Sequence, residues 1–160
     1  MINLKGNMFD LYAHYNADAL CITTNGFVKK NGECVMGKGC AKTIADACPS
    51  IPRELGRLIK TNGNVTQIVR EQRGSILVAM PVKPRSELFN GHNAVQHMKT
   101  NFKLGERVPG WACKARIDLI IESAHQLLDL ANLHGWKRVL IPRPGCGAGE
   151  LSWLDVEPEL

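Results

Sequence analysis

Two short loops are rich in glycine and have the composition of anion-binding loops. The first loop spans residues 35–41 (VMGKGCA), and the second loop spans residues 144–151 (PGCGAGEL). Their glycines are Gly37, Gly39, Gly145, Gly147 and Gly149. Glycine lets a backbone approach a ligand closely, and a helix that follows such a loop adds unpaired N–H groups. Together the loops predict a cradle for a diphosphate, although tight strand-to-helix turns alone would also require glycine.

Neither loop matches the common nucleotide-binding motifs. Residues 145–150 (GCGAGE) resemble GxGxxG without the last glycine, and too little chain follows to supply the acidic residue that binds a dinucleotide ribose. Lys38 stands between glycines, but no serine or threonine follows it as in a P-loop. The sequence therefore disfavours a Rossmann oxidoreductase and a P-loop NTPase.

Metal and nucleic-acid sites receive less support from the sequence. The six cysteines form no CxxC pair and the five histidines are scattered, so no metal site is expected. The net charge of +5 favours an anionic partner. Because the basic residues are not clustered and no zinc finger, RRM or homeodomain pattern occurs, a protein that binds plain nucleic acid through its charge ranks behind a nucleotide-binding protein.

Alternating strand and helix patterns indicate an α/β fold that positions these loops. Strands are predicted at 2–5, 8–12, 19–24, 65–69, 75–82 and 138–142, and helices at 40–47, 52–60, 93–102, 116–134 and from Ser152 onward. Lys83 directly follows one predicted strand, and the glycine-rich loops follow two others. If these three strands are parallel neighbours, the residues after them meet in one crevice at the carboxyl ends of the strands.

The overall length and hydropathy set the organisation of the chain. One hundred and sixty residues predict a single domain, 1–160. No run of 18 apolar residues and no secretory leader pattern occurs, so we expect a cytoplasmic protein with reduced cysteines and no membrane association. Residues 84–115 are long for a connection, which predicts a functional loop. Trp111 within it is either an aromatic lid over a base or a core residue.

Five motifs, in this order along nearly the whole chain, resemble those of macrodomains, which are ADP-ribose-binding modules. They are KGNMFD (5–10), ADALCITTN (17–25), VMGKGCA (35–41), PVK (81–83) and IPRPGCGAGELSW (141–153). The KGN start, the VMGKG loop and the Pro-x-Lys element resemble most closely the macrodomains of DarG-type antitoxins, which remove ADP-ribose from DNA bases. The chain also resembles bacterial and phage ADP-ribose-1″-phosphate phosphatases. The resemblance implies a three-layer α/β/α fold with a mixed central sheet.

The resemblance also implies a site for ADP-ribose, with no cofactor beyond this ligand. Asn7, with Met8 beside it, takes the place of an aspartate that binds the adenine amino group, and an amide oxygen still accepts that bond. Asn25 corresponds to the asparagine that holds the distal ribose. Two sets of loop residues are expected around the diphosphate: Val35, Met36, Gly37, Lys38 and Gly39, and Gly145, Cys146, Gly147, Ala148 and Gly149. Trp153 corresponds to a packing tryptophan.

Lys83 corresponds to the lysine implicated in catalysis by DarG-type macrodomains. A lysine beside the distal ribose can attack the anomeric carbon as a neutral amine or stabilise the departing group as a cation. Some related hydrolases carry an aspartate where this chain has Gly149, and the neighbouring Glu150 is the candidate substitute. The implied catalytic set is therefore Lys83, Asn25 and Glu150.

The resemblance leaves two functions open. One is an enzyme that releases ADP-ribose from ADP-ribosylated DNA or protein, or phosphate from ADP-ribose 1″-phosphate. The other is a non-catalytic reader of ADP-ribose, in which Lys83 is a solvated surface lysine. Macrodomains usually end with a helix and then a strand beside the N-terminal one, whereas this sequence stops within that helix. We therefore expect a sheet without that strand, or a shortened sequence, with residues 2–12 pairing elsewhere or closing the gap against residues 138–142.

Overall fold

A four-stranded mixed sheet forms the centre of the protein in a computed structural model that describes residues 1–160. The strands are β1 (Ala19–Asn25), β2 (Gln67–Gln72), β3 (Ser75–Lys83), β4 (Ser86–Leu88), β5 (Arg107–Pro109) and β6 (Val139–Leu140). The α-helices are α1 (Met8–His14), α2 (Gly39–Ala47), α3 (Ile51–Asn62), α4 (Ile117–His134) and α5 (Trp153–Val156). Short 3₁₀ helices occupy Gln96–Asn101, Gly110–Ala112 and Glu157–Glu159. None of the helices is both long and apolar enough to cross a bilayer.

The order of strands in the central sheet is β2–β3–β1–β6. β1 pairs in parallel with β3 and with β6, whereas β2 pairs with β3 as an antiparallel hairpin. The three parallel strands therefore end at the same edge of the sheet. The strands that precede the first loop, Lys83 and the second loop are thus parallel neighbours, which is the condition under which the residues after them meet in one crevice.

Helices cover both faces of this sheet, which confirms the three-layer α/β/α prediction. Side chains alternate between the two faces along a strand, so neighbouring residues of β1 enter different cores. Ile22 packs with Leu55 and Ile59 of α3 on one face. Cys21 packs with Leu127 of α4 on the other face. The predicted helices 40–47, 52–60 and 116–134 match α2, α3 and α4 within about two residues at each end.

The segment between β3 and α4, residues 84–116, leaves the sheet and forms a small unit of its own, which we call the excursion. Its two strands, β4 and β5, form an antiparallel ribbon. Beneath them lies a separate apolar cluster whose buried members are Phe89, Ala94, Val108, Ala112 and Cys113. The helix predicted over 93–102 is a 3₁₀ helix at Gln96–Asn101. Because the excursion has its own core, it can hold a defined position above the strand ends.

The prediction of strands at 2–5 and 8–12 was wrong. Residues 2–5 have no regular structure, and residues 8–12 belong to α1. The Asn7 side chain caps this helix by accepting a hydrogen bond from Phe9 N–H at 2.9 Å. Helix α1 contacts β6 rather than pairing with it as a strand. This N-terminal segment therefore packs at the end of the sheet without extending it.

Two further strands differ from their predicted positions. The strand predicted at 65–69 is displaced to Gln67–Gln72, where the turn at Arg73 and Gly74 sets the hairpin register. The strand predicted at 138–142 is only two residues long and half-buried. β6 lies at the edge of the sheet, and Pro142 lacks the N–H that a longer ladder would use. No strand follows α5, as expected for this sheet.

Candidate functional site

A cleft of about 340 Å³ opens where the three parallel strands end. Its size is within the range of small-molecule sites. It is lined by the end of β1, both glycine-rich loops, Lys83 and part of the excursion. Eleven of the fifteen residues predicted for the site line it: Asn25, Val35, Met36, Gly37, Lys38, Gly39, Lys83, Gly145, Gly147, Ala148 and Gly149. The structure thus brings together residues from three separate parts of the chain.

Asn25 holds the first loop against the end of β1. Its side-chain Nδ2 donates to Val35 O at 2.8 Å, and its Oδ1 accepts from Phe27 N–H at 2.9 Å. The residue is buried, so both polar atoms of its amide need partners. These bonds occupy Oδ1 and one of the two Nδ2 hydrogens, which leaves one donor unassigned. Asn25 therefore shapes the wall of the cleft from within.

The first loop leads directly into α2. Lys38 is the N-cap residue of that helix, and Gly39 begins it with φ +61°, a conformation that favours glycine. The first backbone N–H groups of α2 have no helical partners and lie beside the cleft. The Lys38 ammonium lies 3.2 Å from His97 Nε2 in the excursion. A positive side chain and free N–H groups therefore occur together on this wall.

The second loop is tightly packed at Gly145 and Gly149, and this packing requires glycine at both positions. A Cβ atom at Gly149 would lie 2.4 Å from Gly145 O and 2.5 Å from Ala115 Cβ, so no side chain fits there. Gly145 has φ +73°, and the loop is closed by a bond from Leu151 N–H to Gly145 O at 3.0 Å. By contrast, a Cβ at Gly147 would meet nothing within 4 Å. The absence of aspartate at residue 149 thus follows from packing.

Lys83 lies at the base of the cleft, in the last position of β3. A register shift in the pairing of β1 with β3 places Asn25 opposite Lys83. The lysine is only 7% exposed. Its Nζ donates to Ala148 O in the second loop at 2.7 Å and to Trp111 O in the excursion at 3.3 Å. A buried amine between two carbonyl oxygens is not the solvated surface lysine of the alternative interpretation.

Burial lowers the pKa of Lys83 to about 8 from its ordinary 10.5. Desolvation is the largest cause, because the charged ammonium loses water. The positive charge of Lys38 lowers the pKa further, whereas Cys113 and the negative charge of Glu150 act in the opposite direction. Perturbed lysines of this kind occur at functional sites more often than elsewhere.

No aspartate or glutamate lines the cleft. Its ionisable lining residues are Lys38, Cys40, Lys83, His97 and Arg143. The Arg143 guanidinium lies 4.9 Å from the centroid of the Trp153 ring, which is a cation–π distance. Trp153 is half-buried and packs against the core beneath α4, as a packing tryptophan would. The electrostatic character of the cleft therefore suits an anion.

The excursion forms the roof of the cleft through Val95, His97 and Trp111. Trp111 is 38% exposed, which excludes the core interpretation of this residue. Its ring is free to contact a ligand, while its backbone oxygen contacts Lys83. The expectation that residues 84–115 form more than a simple connection agrees with this placement.

Four predicted site residues do not line the cleft: Asn7, Met8, Cys146 and Glu150. The Asn7 oxygen caps α1 instead of facing the cleft. Cys146 donates to Pro144 O at 3.4 Å within its own loop. Glu150 has φ +62°, and its carboxylate accepts bonds from Gln96 N–H, outside the cleft lining.

Sequence reasoning missed three ionisable residues of the cleft: Cys40, His97 and Arg143. Cys40 and Arg143 lie in motifs that were recognised, and their positions directly beside the glycine-rich loops could have identified them. His97 gave no such signal, because it contacts Lys38 from 59 residues away in the chain. Its role depends on how the excursion folds back.

Comparisons with known proteins identify the fold. No protein-family model matches the sequence, and no curated protein matches it. The structure is similar to the macrodomain of Mycobacterium tuberculosis DarG, with a TM-score of 0.61 and 19% identity over 89% of this chain and 77% of that chain. It is also similar to the macrodomain of Thermus aquaticus DarG, with a TM-score of 0.64 and 20% identity over 98% of this chain and 84% of that one.

A third similar structure was solved with a ligand. It is Thermosipho africanus DarTG in complex with ADP-ribose, with a TM-score of 0.66 and 18% identity over 96% of this chain. The present chain spans about a third (35%) of that protein. The protein therefore has the macrodomain fold.

Proposed function

We propose that the protein binds ADP-ribose in the cleft and hydrolyses an ADP-ribosyl linkage, with Lys83 as the catalytic residue. The observation that carries this proposal is the buried Lys83 amine, held between two carbonyl oxygens at the base of a cleft without carboxylates. Thermosipho africanus DarTG, part of which has a similar fold, was solved in complex with ADP-ribose. The proposed substrates are ADP-ribosylated DNA, ADP-ribosylated protein and ADP-ribose 1″-phosphate.

The walls of the cleft suit the diphosphate of ADP-ribose. The first loop offers the unpaired N–H groups at the start of α2 and the charge of Lys38. Gly147 in the second loop has open space in front of its Cα atom, so a phosphate can approach the backbone there. In the same binding mode the distal ribose lies near Asn25 and Lys83, which face each other across the β1–β3 pair.

The lowered pKa of Lys83 favours its action as a nucleophile. With a pKa of about 8, about a quarter of the lysine is neutral near pH 7.5, compared with about 0.1% at the ordinary value of 10.5. The neutral amine attacks the anomeric carbon of the distal ribose, and the bond to the departing group breaks with its electron pair. That group takes up a proton as the amine loses one. The resulting glycosylamine opens its ribose ring to a Schiff base with Lys83, and water hydrolyses this Schiff base to free the amine and release ADP-ribose.

A non-catalytic reader is the second candidate function, and two observations favour it. Gly149 cannot be replaced by a carboxylate without a clash, and the Glu150 carboxylate is bound to Gln96 N–H. The cleft therefore lacks a carboxylate to activate water. A reader would use the same loops and would leave Lys83 as a cationic partner of the distal ribose.

Calorimetry and turnover assays distinguish the two functions. ADP-ribose is titrated into the protein, with ADP as the comparison ligand, and the three proposed substrates are assayed for release of ADP-ribose. We expect Lys83→Met to bind ADP-ribose within about tenfold of the wild type and to lose at least about 100-fold in kcat. Lys60→Met, at an exposed lysine of α3, is the control and should leave both values unchanged.

Trapping with borohydride tests the covalent step. If Lys83 attacks the anomeric carbon, reduction during turnover should attach ADP-ribose to the wild type and not to Lys83→Met. ADP-ribose binding with no turnover of any substrate would establish the reader function. Lack of ADP-ribose binding at millimolar concentration would refute both.

A further inference from the structure

The start of the 3₁₀ helix Gln96–Asn101 joins the two loops of the cleft. Gln96 N–H donates to the two carboxylate oxygens of Glu150, at 2.8 and 3.1 Å, in the second loop. The next residue, His97, places its Nε2 at 3.2 Å from Lys38 Nζ in the first loop. Two consecutive residues of the excursion therefore contact opposite walls of the cleft. Of these two contacts, the one to Glu150 involves a full negative charge and a backbone donor.

Glu150 adopts a backbone conformation that usually favours glycine. Its φ of +62° is one of three positive values at non-glycine residues in the chain. Such a conformation is unfavourable for a residue with a side chain and persists where its surroundings hold it. Here the carboxylate bonds to Gln96 N–H, and a weaker ion pair with Lys114 at 4.0 Å, provide the compensation. These side-chain contacts therefore offset the cost of the backbone conformation at Glu150, where glycine would incur no such cost.

The hydrogen bonds from Gln96 N–H to the Glu150 carboxylate connect the two parts of the chain that hold Lys83. One acceptor of the Lys83 amine, Trp111 O, belongs to the excursion, and the other, Ala148 O, belongs to the second loop. A backbone bond from Ala115 N–H to Gly149 O also joins these parts, but it lies at the far end of the excursion. The Glu150 carboxylate instead joins the second loop to the start of the 3₁₀ helix Gln96–Asn101, next to the roof residues Val95 and His97.

We propose that Glu150 is a positioning residue: its carboxylate fixes the excursion to the second loop and thereby sets the position of the Lys83 amine between its two carbonyl acceptors. This inference rests on the proposed function, and it replaces the expectation that Glu150 substitutes for a catalytic aspartate. Misplacement of a reacting group by about 1 Å costs on the order of 100-fold in rate. The negative charge of Glu150 also raises the pKa of Lys83, so removing the charge should lower that pKa.

Three variants separate positioning from other roles. Glu150→Gly removes the carboxylate and relieves the backbone conformation, whereas Glu150→Gln keeps an oxygen acceptor and removes only the charge. Arg73→Gly is the control, because Arg73 has φ +50° in the β2–β3 turn, away from the cleft. For each protein, kcat, KM, ADP-ribose affinity and the pH profile of kcat are measured. The pKa of the Lys83 side chain and the exchange rate of the Gln96 amide are followed by NMR.

We expect Glu150→Gly to lower kcat about 10- to 100-fold while KM and the ADP-ribose Kd change less than about threefold. Glu150→Gln should recover kcat to within about fivefold of the wild type and move the acid limb of its pH profile to lower pH. Arg73→Gly should match the wild type in every measurement. Wild-type kcat in Glu150→Gly, or equal inactivity in the Gln and Gly variants, would overturn the proposal.

The NMR measurements keep this proposal separate from the proposed function. If the wild type cleaves none of the substrates, the catalytic assignment fails. The effect of the Glu150–Gln96 contact on the position of Lys83 can still be measured. Glu150→Gly should then accelerate exchange of the Gln96 amide and shift the pKa of Lys83. Unchanged values for both groups would show that Glu150 does not position Lys83.

Discussion

Replacing Lys83 with methionine should change how the stability of the protein depends on pH. Lys83 is 7% exposed, and burial lowers its pKa to about 8 in the folded protein. In the unfolded chain water restores the pKa to about 10.5. Between these two values the unfolded state binds more protons than the folded state, so the stability of the wild type rises with pH in this window. Methionine has no proton to exchange and removes this dependence.

The size of the effect follows from the two pKa values. Below about pH 8 the buried lysine must either lose its proton or keep its charge without water, which costs about 3 kcal/mol relative to an uncharged side chain. From about pH 6 to about pH 9.5 this cost falls by about 2 kcal/mol. Loss of the two bonds to Trp111 O and Ala148 O subtracts about 1 kcal/mol each from the variant. Lys83→Met should therefore be about 1 kcal/mol more stable than the wild type near pH 6 and slightly less stable near pH 9.5.

Denaturant unfolding at several pH values measures this difference. The wild type, Lys83→Met and Lys60→Met are unfolded in urea at intervals between about pH 6 and about pH 9.5, and the free energies are compared at each pH. Lys60 is exposed on α3, so its replacement is the control for removing a lysine side chain from the surface. A difference between the wild type and Lys83→Met that stays constant within about 0.5 kcal/mol across the range would refute the desolvation argument.

Two other predictions concern the walls and roof of the cleft. Gly149→Ala should destabilise the protein by about 1 to 3 kcal/mol and weaken ADP-ribose binding at least about tenfold, because its Cβ would collide with Gly145 O. The matched variant Gly147→Ala has open space and should keep stability within about 1 kcal/mol, as thermal unfolding would show; equal losses in both variants would contradict this reasoning. Trp111→Phe should abolish most of the tryptophan fluorescence change caused by ADP-ribose, because Trp111 lines the cleft; an undiminished change would mean that its ring does not meet the ligand.

The parts of the fold that could be predicted from sequence are those with strong local patterns. The apolar run at 75–82 and the helical spacing over 116–134 each fit only one kind of element, and both are found close to their predicted limits. Because parallel strands share one edge, locating the loops after them was enough to bring Asn25, Lys83 and Gly147 together. These inferences needed only the period of the pattern and the direction of the strands.

The local sequence pattern did not predict the structure where it fits both a helix and a strand. It also failed where a contact distant in the chain determines the conformation. Residues 8–12 are apolar apart from Asp10, as in a short strand, but Met8, Leu11 and Tyr12 also have helical spacing, and the Asn7 cap favours the helix. The direction of the Glu150 side chain depends on a positive φ, which sequence does not report for glutamate. Glu150 lies one position after the place where some related hydrolases carry an aspartate. This difference of one residue is enough to direct its carboxylate away from the cleft.

The packing of the second loop bears on why the proposed chemistry assigns the catalytic role to a lysine. Gly149 is packed against Gly145 O so closely that it has no room for a side chain, and this excludes an acidic group from that wall. A cleft without carboxylates suits an anion, and it has no carboxylate to activate water. In the proposed function the buried Lys83 amine would take the place of such a base as a nucleophile, because desolvation keeps part of it neutral near physiological pH. The tight loop at Gly149 and the buried lysine are therefore consistent with a site that binds an anion and relies on an amine rather than a carboxylate.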